Sequence, residues 1–354
     1  MTLIADPKTS SLTPFETDAA FIEAALPYWH PVAAAAEVAP GAVLAVTLLG
    51  EELALWRGLD GRLAIVADAC AHRGVKLSHG RVHPDGCIAC PYHGWRYADD
   101  GQCAAIPQMP EGPIPAGARI SAHEVDEHAG LIWVRLRAEG ATAPRPHLPE
   151  ASDPEYVLHV GTPFDWRCQS TRQVENFLDV AHFSHIHLDV FGNPEAMEVP
   201  VQSVEVSDGH LYTDVVYPGV NPVAIATGAP AEIIPMAFAY DVHLPFTVLL
   251  RNGVVGDRSS ILLMANQPVT AHTCRVWWVI AQPADAALPP EVVEMMEEMV
   301  FGADRAIVET QRPDAVPLAI TDELHLPFDK VAVGYRRALA SLGFPSLPPS
   351  AKRL

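Results

Sequence analysis

The segment CAHRGVKLSHGRVHPDGCIACPYHGW, residues 70–95, constrains the fold most, because it gathers three cysteines and four histidines in one short stretch. Two pairs have the spacing of metal ligands: the C-x-H pair Cys70 and His72, and the C-x-x-H pair Cys90 and His93. Gly74 follows the first pair and Gly94 follows the second, and glycine favours tight turns. The segment therefore predicts two loops that converge on one metal centre.

The chemistry of the two pairs allows two kinds of centre. Two thiolates and two imidazoles suit either a tetrahedral zinc ion or a [2Fe-2S] cluster in which cysteine binds one iron and histidine the other. The spacing alone does not choose between them. The other candidate ligands of the segment and its surroundings lie off the pattern, and we interpret them as surface imidazoles and small buried thiols: His79, His83, Cys87 and Cys103.

The composition restricts the class of protein. With 354 residues, 49% of them hydrophobic, the chain can bury a large core, and we expect two domains. A net charge of −20 without a basic cluster disfavours nucleic acids and anionic membranes as partners. The start of the sequence lacks the pattern of a secretory signal, and no apolar run reaches the length of about 18 residues that a membrane span requires. We therefore predict a cytoplasmic protein.

Turn signals and apolar runs suggest how the chain is divided. Residues 41–68 alternate β-compatible runs with Gly-Glu and Asp-Gly turns, which predicts a β-meander, and residues 130–136 predict one more strand. Five prolines between residues 141 and 163 predict an extended connector. We expect an N-terminal segment that packs on the second domain, an all-β domain, and the second domain itself, at 1–40, 41–145 and 146–354 respectively.

The second domain is predicted to be α+β, with an antiparallel sheet packed against helices. A helix is expected in STRQVENFLDVAHFSHI, with Ser170 or Thr171 as its N-cap. Two further helices are expected at about 289–311 and 327–342. The predicted strands are 201–207, 210–217, 236–243, 246–251, 259–266 and 274–281.

A second histidine group follows in ENFLDVAHFSHIHLDVF. On a helix, Asp179 and His182 share a face, whereas His182 and His187 diverge by about 140°. Both histidines can bind one ion only if the helix distorts or ends between them, and Gly-Asn-Pro at 192–194 indicates such an end. Two histidines and one carboxylate leave open positions on iron(II), as in non-haem iron oxygenases. We interpret His185, between them, as a packing residue.

Both segments resemble the motifs of one family. CAHRG and CPYHGW resemble the Rieske motif, and ENFLDVAHFSHIH matches the D/E-N-x-x-D-x-x-H-x-x-x-x-H pattern of Rieske non-haem iron oxygenases. Over nearly its whole length the chain resembles their catalytic α subunit. Its length and the closing FDKVAVGYRRALASLG resemble the α-only branch, which includes methylxanthine N-demethylases, vanillate and dicamba O-demethylases and saxitoxin-pathway hydroxylases. LLGEELALWR, CPYHGWRY and IVETQRP are most similar to the N-demethylases and the saxitoxin-type hydroxylases. The resemblance implies an all-β Rieske domain followed by a helix-grip catalytic domain.

The resemblance also implies the ligands. It assigns Cys70, His72, Cys90 and His93 to a [2Fe-2S] cluster and His182 and His187 to a mononuclear Fe(II). VFGADRAIVETQRP resembles the family segment that supplies the third iron ligand, here Asp304. Glu309 remains an alternative from the sequence alone. Ala303 stands where many relatives have a glutamate beside the ligand, so a charge close to the iron is missing.

A link between the two centres is implied as well. In this family the α subunits form a head-to-tail ring, usually a homotrimer, in which the cluster of one subunit lies beside the iron of the next. An aspartate between the motif asparagine and the first ligand histidine bridges the two centres. Asp179 occupies that place and Asn176 is the motif asparagine. The implied bridge joins His93 of one chain to His182 of the next.

The implied activity is a monooxygenation with O2. Electrons would come from NAD(P)H through a separate reductase or ferredoxin, since the chain has no Rossmann or flavin fingerprint. The implied reaction is hydroxylation or oxidative demethylation of a small aromatic or heterocyclic molecule. A Rieske electron-transfer or redox-sensing protein with a small-molecule-binding second domain is the alternative, and a zinc protein is the third.

Two predicted strands supply the candidate pocket residues. FAYDVHLPFTVLL and RVWWVI contain Tyr240, His243, Phe246 and either Trp277 or Trp278. Because side chains alternate along a strand, only half of them are expected to face a cavity. An apolar cavity with few polar anchors suits an aromatic or heterocyclic molecule.

Overall fold

The structure is a computed structural model that describes residues 13–188, 190–221, 224, 229–230 and 232–346. The chain forms two compact units. The N-terminal unit is Leu26–His147, and the C-terminal unit is Leu148–Leu354 together with the residues up to Ala25. Among the described residues, no helix has both the length and the apolar character needed to cross a membrane.

The N-terminal unit is all-β, as predicted. Its strands are β1 (His30–Ala34), β2 (Val43–Leu48), β3 (Glu51–Arg57), β4 (Leu63–Ala67), β5 (Arg81–Val82), β6 (Ile88–Ala89), β7 (Arg96–Tyr97), β8 (Cys103–Ala105), β9 (Glu124–His128) and β10 (Leu131–Arg135). They form three antiparallel sheets with the orders β1-β10-β9, β2-β3-β4 and β5-β6-β7-β8. The meander predicted at 41–68 is confirmed as β2, β3 and β4.

The predicted start of this unit at residue 41 is wrong. Strand β1 pairs with β10, where His30 lies opposite Val134, so the residues before 41 already belong to the N-terminal sheet. Only helix α1 (Pro14–Ala25) groups with the C-terminal unit. The division after His147 falls inside the proline-rich connector. The alternation in β1 is masked in the sequence by the Ala-rich run that follows it.

The C-terminal unit is built on one antiparallel sheet. Its strands are β11 (Tyr156–Val160), β12 (Phe164–Trp166), β13 (Glu205–Ser207), β14 (His210–Val220), β15 (Ile233–His243), β16 (Thr247–Val254), β17 (Ser260–Pro268) and β18 (Cys274–Pro283). The order is β11-β18-β17-β16-β15-β14-β13, and β12 also pairs with β18. The six predicted strands are present, although the first is shorter than predicted.

The register of this sheet assigns each residue to one of two faces. On one face a row of directly opposed residues runs across four strands: Tyr240, Leu250, Leu262 and Ile280. On the other face the corresponding row is His243, Thr247, Ala265 and Trp277. We call the first the site face and the second the far face, because side chains alternate along each strand.

The helices of this unit follow the predicted order. Besides α1 they are α2 (Ser170–Leu178), α3 (Phe183–Ile186), α4 (Pro290–Val308) and α5 (Lys330–Ser341). Helix α2 lies on the site face, where Asn266 Nδ2 donates to Gln173 Oε1 at 2.6 Å. Phe301 of α4 stacks on Phe177 of α2, with ring centroids 6.2 Å apart. The predicted N-cap of α2 is wrong: Gln169 holds that position, and its side chain makes no capping bond.

A buried ion-pair network fixes α2 to α5. The guanidinium of Arg336 is 2% exposed and donates to both oxygens of Glu175, at 2.6 and 2.9 Å. Arg172 donates to the same carboxylate at 3.0 Å, and Glu323 accepts from both arginines. Buried charges are tolerated when they are paired and hydrogen-bonded. The network therefore holds the helix that leads into the second histidine group.

We predict that Arg336→Ala lowers the free energy of unfolding by about 3–5 kcal/mol, because it leaves the Glu175 carboxylate buried beside an incomplete set of partners. Arg337→Ala is the matched control, since Arg337 is exposed on the same helix. Urea unfolding of both variants measures the difference. Equal unfolding midpoints for the two variants would contradict a stabilising role of the network.

Candidate active site

Two loops of the N-terminal unit are closed by the same pair of backbone hydrogen bonds. In the first, the N–H of Cys70 donates to Val75 O at 2.9 Å and that of Gly74 donates to Cys70 O at 2.8 Å. In the second, Cys90 donates to Trp95 O at 2.8 Å and Gly94 to Cys90 O at 3.1 Å. The two glycines have φ values of 68° and 72°, which side chains disfavour. Glycine four residues after each cysteine therefore permits the loop.

The loops bring the four predicted cluster ligands together. His72 Nδ1 and His93 Nδ1 lie 3.2 Å apart, a separation at which both can bind one metal ion. The Cys70 and Cys90 thiols are buried and within hydrogen-bonding reach of each other. Burial raises the pKa of the Cys90 thiol, so a thiolate here requires a cationic centre. Paired imidazoles and paired thiols fit a cluster with histidine on one iron and cysteine on the other.

Two aromatic residues support this loop pair: Trp95, which ends the quoted segment, and Tyr97, two residues beyond it. Trp95 stacks on His72 with ring centroids 4.7 Å apart and an angle of 1°. The Tyr97 hydroxyl accepts a hydrogen bond from Ala71 N at 3.1 Å and lies 3.2 Å from Cys70 Sγ. Burial raises the pKa of Tyr97, so its proton is retained and donated to sulfur. Hydrogen bonds to the sulfurs are one of the factors that set a cluster's reduction potential.

The second histidine group lies beyond the end of the first helix rather than across it. Helix α2 ends at Leu178, and Asp179 has the extended angles φ −83° and ψ 131°. His182 then precedes the short helix α3, and His187 follows it. The helix thus ends before His182 rather than between the histidines. This break turns both imidazoles toward the same point, which a continuous helix would not allow.

A tight turn completes the arrangement. The carbonyl of His187 accepts hydrogen bonds from Val190, Phe191 and Gly192, the last at 2.7 Å. A Cβ at Gly192 would lie 2.4 Å from Phe183 O and 2.7 Å from His187 C, closer than side chains approach backbone. Gly192 is therefore required by close packing, although the helix end that the sequence indicated at 192–194 comes earlier, at Ile186.

Three donor atoms converge in the C-terminal unit. His182 Nε2 lies 3.1 Å from His187 Nε2, and Asp304 Oδ1 of α4 lies 3.5 Å and 3.2 Å from them respectively. The side chains of His187 and Asp304 are 2% and 4% exposed. The structure thus brings together all three residues predicted to bind the mononuclear iron.

This donor set fits a metal ion. A triangle with these sides has a circumscribed radius of roughly 1.9 Å, so an ion can lie at the usual 2.0–2.2 Å from all three atoms. Asp304 Oδ1 is buried and has no hydrogen-bond partner in the described part of the chain. A buried carboxylate oxygen without a donor requires a cation.

The alternatives near these ligands are placed elsewhere. Glu309, the competing carboxylate, lies at the end of α4, where its Oε2 accepts from both Nε and Nη2 of Arg167, at 2.9 and 2.7 Å. His185 is exposed on α3 and takes no part in the donor group. The structure therefore favours Asp304 over Glu309 as the third ligand.

Asp179 orients the first histidine. Its Oδ2 lies 3.0 Å from His182 Nδ1, and its Oδ1 accepts from Ala181 N at 3.0 Å. Burial alone would raise its pKa, but these hydrogen bonds and the nearby imidazole hold the pKa of Asp179 below the ordinary value. The ionised carboxylate accepts the Nδ1 proton, so Nε2 of His182 presents its lone pair to the metal position.

Asp179 also reaches the surface. Its side chain is 39% exposed, and it lines a polar cavity of about 390 Å³ together with Asn176. The Asn176 carbonyl accepts the N–H of Asp179 at 3.1 Å, while Asn176 Nδ2 is buried without a partner in the described residues. Asp179 therefore contacts an iron ligand from a position that an outside group can reach.

Aromatic rings surround the donor group on the site face. Phe183 packs against Phe191, Tyr217 and Phe238, with centroid distances of 4.9, 5.5 and 5.3 Å. Tyr240 lies 6.2 Å from Phe177, and its hydroxyl is buried without a partner in the described residues. Burial, with the negative charges of Asp179 and Asp304, raises the pKa of Tyr240.

The other three predicted pocket residues lie elsewhere. His243 and Trp277 are on the far face, because each is an odd number of residues from a site-face position of its strand. Trp277 donates instead to Gln267 at 2.8 Å. Phe246 precedes β16 and packs against Phe21 and Phe344. The prediction of these three as pocket residues is wrong, and Trp278, the alternative to Trp277, lies on the site face beside His159.

Known proteins match both units. The Rieske [2Fe-2S] domain matches residues 28–124, and the C-terminal domain of the vanillate O-demethylase oxygenase matches residues 166–343. The chain belongs to the Rieske oxygenases. The match begins before residue 41, in agreement with the position of β1.

Relatives cover nearly the whole chain. The methylxanthine N1-demethylase NdmA of Pseudomonas putida is 31% identical over 89% of this chain and 88% of its own. The methylxanthine N3-demethylase NdmB of the same organism is 30% identical, over 88% and 87%. The structure of NdmA with caffeine superposes with a TM-score of 0.81 at 29% identity, covering 92% of each chain. Dicamba monooxygenase bound to dicamba, with a TM-score of 0.73 at 23% identity over 90% and 97%, shares the fold.

Family membership decides between the alternatives that the sequence left open. As a Rieske oxygenase α subunit, the protein carries a Rieske [2Fe-2S] cluster and a mononuclear iron, uses O2, and takes electrons from a reductase or ferredoxin. It is therefore an oxidoreductase that acts on a small molecule, rather than a zinc protein or an electron carrier.

We predict that His182→Ala keeps the visible absorption of the cluster but loses one iron per chain and the uptake of O2, because only the donor group in the C-terminal unit is incomplete. His185→Ala, an exposed histidine of the same segment, is expected to keep both. Elemental analysis and the visible spectrum measure the two outcomes. Loss of the cluster absorption in His182→Ala, or of iron in His185→Ala, would contradict the division into two centres.

Proposed function

We propose that the protein is a monooxygenase that hydroxylates, or oxidatively demethylates, a small aromatic or heterocyclic substrate. The observation that carries the proposal is the convergence of His182, His187 and Asp304 beneath a wall of aromatic rings. Flat apolar walls suit a flat apolar substrate. The relatives named as methylxanthine demethylases support the same substrate class.

The proposal assigns a role to each ligand. Cys70, His72, Cys90 and His93 hold the [2Fe-2S] cluster, and His182, His187 and Asp304 hold the mononuclear iron. A bound iron would supply O2 activation with electrons that arrive through the cluster; one oxygen atom would enter a C–H bond of the substrate and the other would leave as water, with two electrons and two protons. When that bond belongs to an N- or O-methyl group, the hydroxymethyl product releases formaldehyde and leaves N–H or O–H.

The residues of the chain position the substrate and exclude water. Phe183 and Phe238 form the aromatic wall next to the histidine ligands, and the hydroxyl of Tyr240, on the same sheet face as Phe238, is buried without a partner in the described residues. A buried hydroxyl without a partner is available to hydrogen-bond a polar atom of the bound molecule. Asp179 keeps the His182 imidazole in the tautomer that binds metal.

We further propose that the α subunits form a head-to-tail homotrimer in which Asp179 bridges two chains. In this arrangement one carboxylate contacts His182 of its own chain and His93 of the partner subunit. The support is the partial exposure of Asp179 beside Asn176, together with its hydrogen bond to His182. NAD(P)H as the electron source of the partner reductase, and a cytoplasmic location, stay predictions from the sequence.

A screen of substrates tests the reaction. N-methyl, O-methyl and unmethylated aromatic and heterocyclic compounds are each incubated with the holoenzyme, a surrogate reductase and NADH. We expect O2 uptake that depends on the compound, with formaldehyde released in proportion to product from methylated substrates and a hydroxylated product from the others. Incorporation of both atoms of 18O2 into one product would instead indicate a dioxygenase and contradict the proposal.

We predict that Asp179→Asn lowers turnover roughly 10- to 100-fold while both metal centres stay occupied, because the amide cannot hold the two imidazoles as the carboxylate does. Asp208→Asn, at an exposed turn of the same unit, is the control and is expected to retain turnover. The measurements are substrate turnover, iron content and single-turnover reoxidation of the cluster. Parental turnover in Asp179→Asn would rule out the bridge.

A further inference from the structure

The site face also borders a cavity of about 440 Å³ between the sheet and helix α4. Its apolar lining includes Met236, Ile280, Val293 and Met296. Polar side chains also line it, among them Asn252 of β16 and Glu297 of α4. The cavity is large enough for a drug-sized ligand.

The helix and the sheet that line the cavity also carry residues close to the iron ligands. Glu297 lies seven residues before Asp304 on α4, so the two share a helix face, roughly 10 Å apart along the axis. Asn252 lies directly opposite Phe238 in the sheet. The ring of Phe238 is 5.3 Å from that of Phe183, which follows the ligand His182. A molecule that reaches the donors and fills this cavity therefore places its far end at Asn252 and Glu297.

The acceptor oxygens of Asn252 and Glu297 lack hydrogen-bond partners among the described residues. Asn252 Oδ1 is buried and accepts no hydrogen bond within the described residues. The half-buried carboxylate of Glu297 accepts none from them either. Arg258, also in the lining, donates to Asp285 at 2.6 Å and to Glu155 at 3.2 Å, so it is already neutralised. The cavity thus contains two hydrogen-bond acceptors that lack a donor, and a ligand with N–H groups can supply it.

We propose that Glu297 and Asn252 form the polar end of the substrate pocket and select a substrate with a cationic, hydrogen-bond-donating nitrogen, such as an amine or amidine, about 10 Å from the carbon that reacts. This inference rests on the proposed function and narrows its substrate class. The apolar lining holds the body of the molecule, and the two oxygens accept its N–H groups. A charge-assisted hydrogen bond in a buried site discriminates strongly against a neutral analogue.

The electrostatics of the cavity agree with a cationic ligand. Burial, with the negative charges of Glu294 and Asp304, raises the pKa of Glu297 to about 7. The carboxylate is thus costly to ionise when it is alone. A cation bound beside it favours the ionised form and offsets that cost.

Binding of a matched pair of probes to the holoenzyme tests the inference without turnover. Benzamidine is a flat cation with N–H donors, and benzamide is its neutral analogue. We expect isothermal titration under anaerobic conditions to show benzamidine binding at least tenfold more tightly than benzamide. Glu297→Gln is expected to remove this preference. Glu298→Gln, an exposed acid of the same helix, is the control and is expected to keep it.

Equal affinities in the parent protein, no measurable binding of benzamidine, or a preference that survives Glu297→Gln would overturn the inference. The visible spectrum of the cluster verifies that each variant is folded and loaded. The two proposals fail separately. If neutral substrates are oxygenated and cations are not preferred, the proposed monooxygenase activity stands and the proposed role of Glu297 is wrong. If the preference for cations depends on Glu297 but no O2 is taken up, the binding site stands and the proposed reaction is wrong.

Discussion

The metal position of the C-terminal unit depends on a buried carboxylate oxygen that has no hydrogen-bond donor among the described residues. Asp304 Oδ1 lies within 3.5 Å of two imidazole nitrogens and accepts no hydrogen bond within the described residues. Such a group is unfavourable unless a cation binds there. The surrounding fold keeps the three donors in place: the end of α2 at Leu178 frees the turn that carries His182, and the ion pairs of Glu175 hold α2 itself. The metal is thus part of the structure as well as of the chemistry.

Both metal positions rely on backbone geometry as much as on ligand identity. In the N-terminal unit, a glycine four residues after each cysteine allows two equivalent loops, and the Tyr97 hydroxyl next to Cys70 Sγ tunes the charge on sulfur. In the C-terminal unit, Gly192 allows the chain to fold back on His187. Asp179 contacts the imidazole of His182 and is itself partly exposed at the surface.

The sequence indicated which candidate ligands the structure brings together, because their order and spacing are mostly local. Cys70, His93 and their partners were found in one segment, and a family motif identified Asp304, which is distant in sequence. Features that depend on register were not predictable from alternation alone. His243 and Trp277 were expected in the pocket, yet one residue of shift places a side chain on the other face of a strand. The sequence did not indicate that Glu297 lines a cavity, because an acid on a helix usually faces solvent. Only the packing of α4 on the sheet brings it there.

The most direct test of the account is the content of iron and acid-labile sulfide in the purified protein, measured together with its EPR spectrum. One cluster and one mononuclear site predict three irons and two sulfides per chain, with a rhombic signal that appears on reduction. A colourless protein with stoichiometric zinc and no labile sulfide would contradict it.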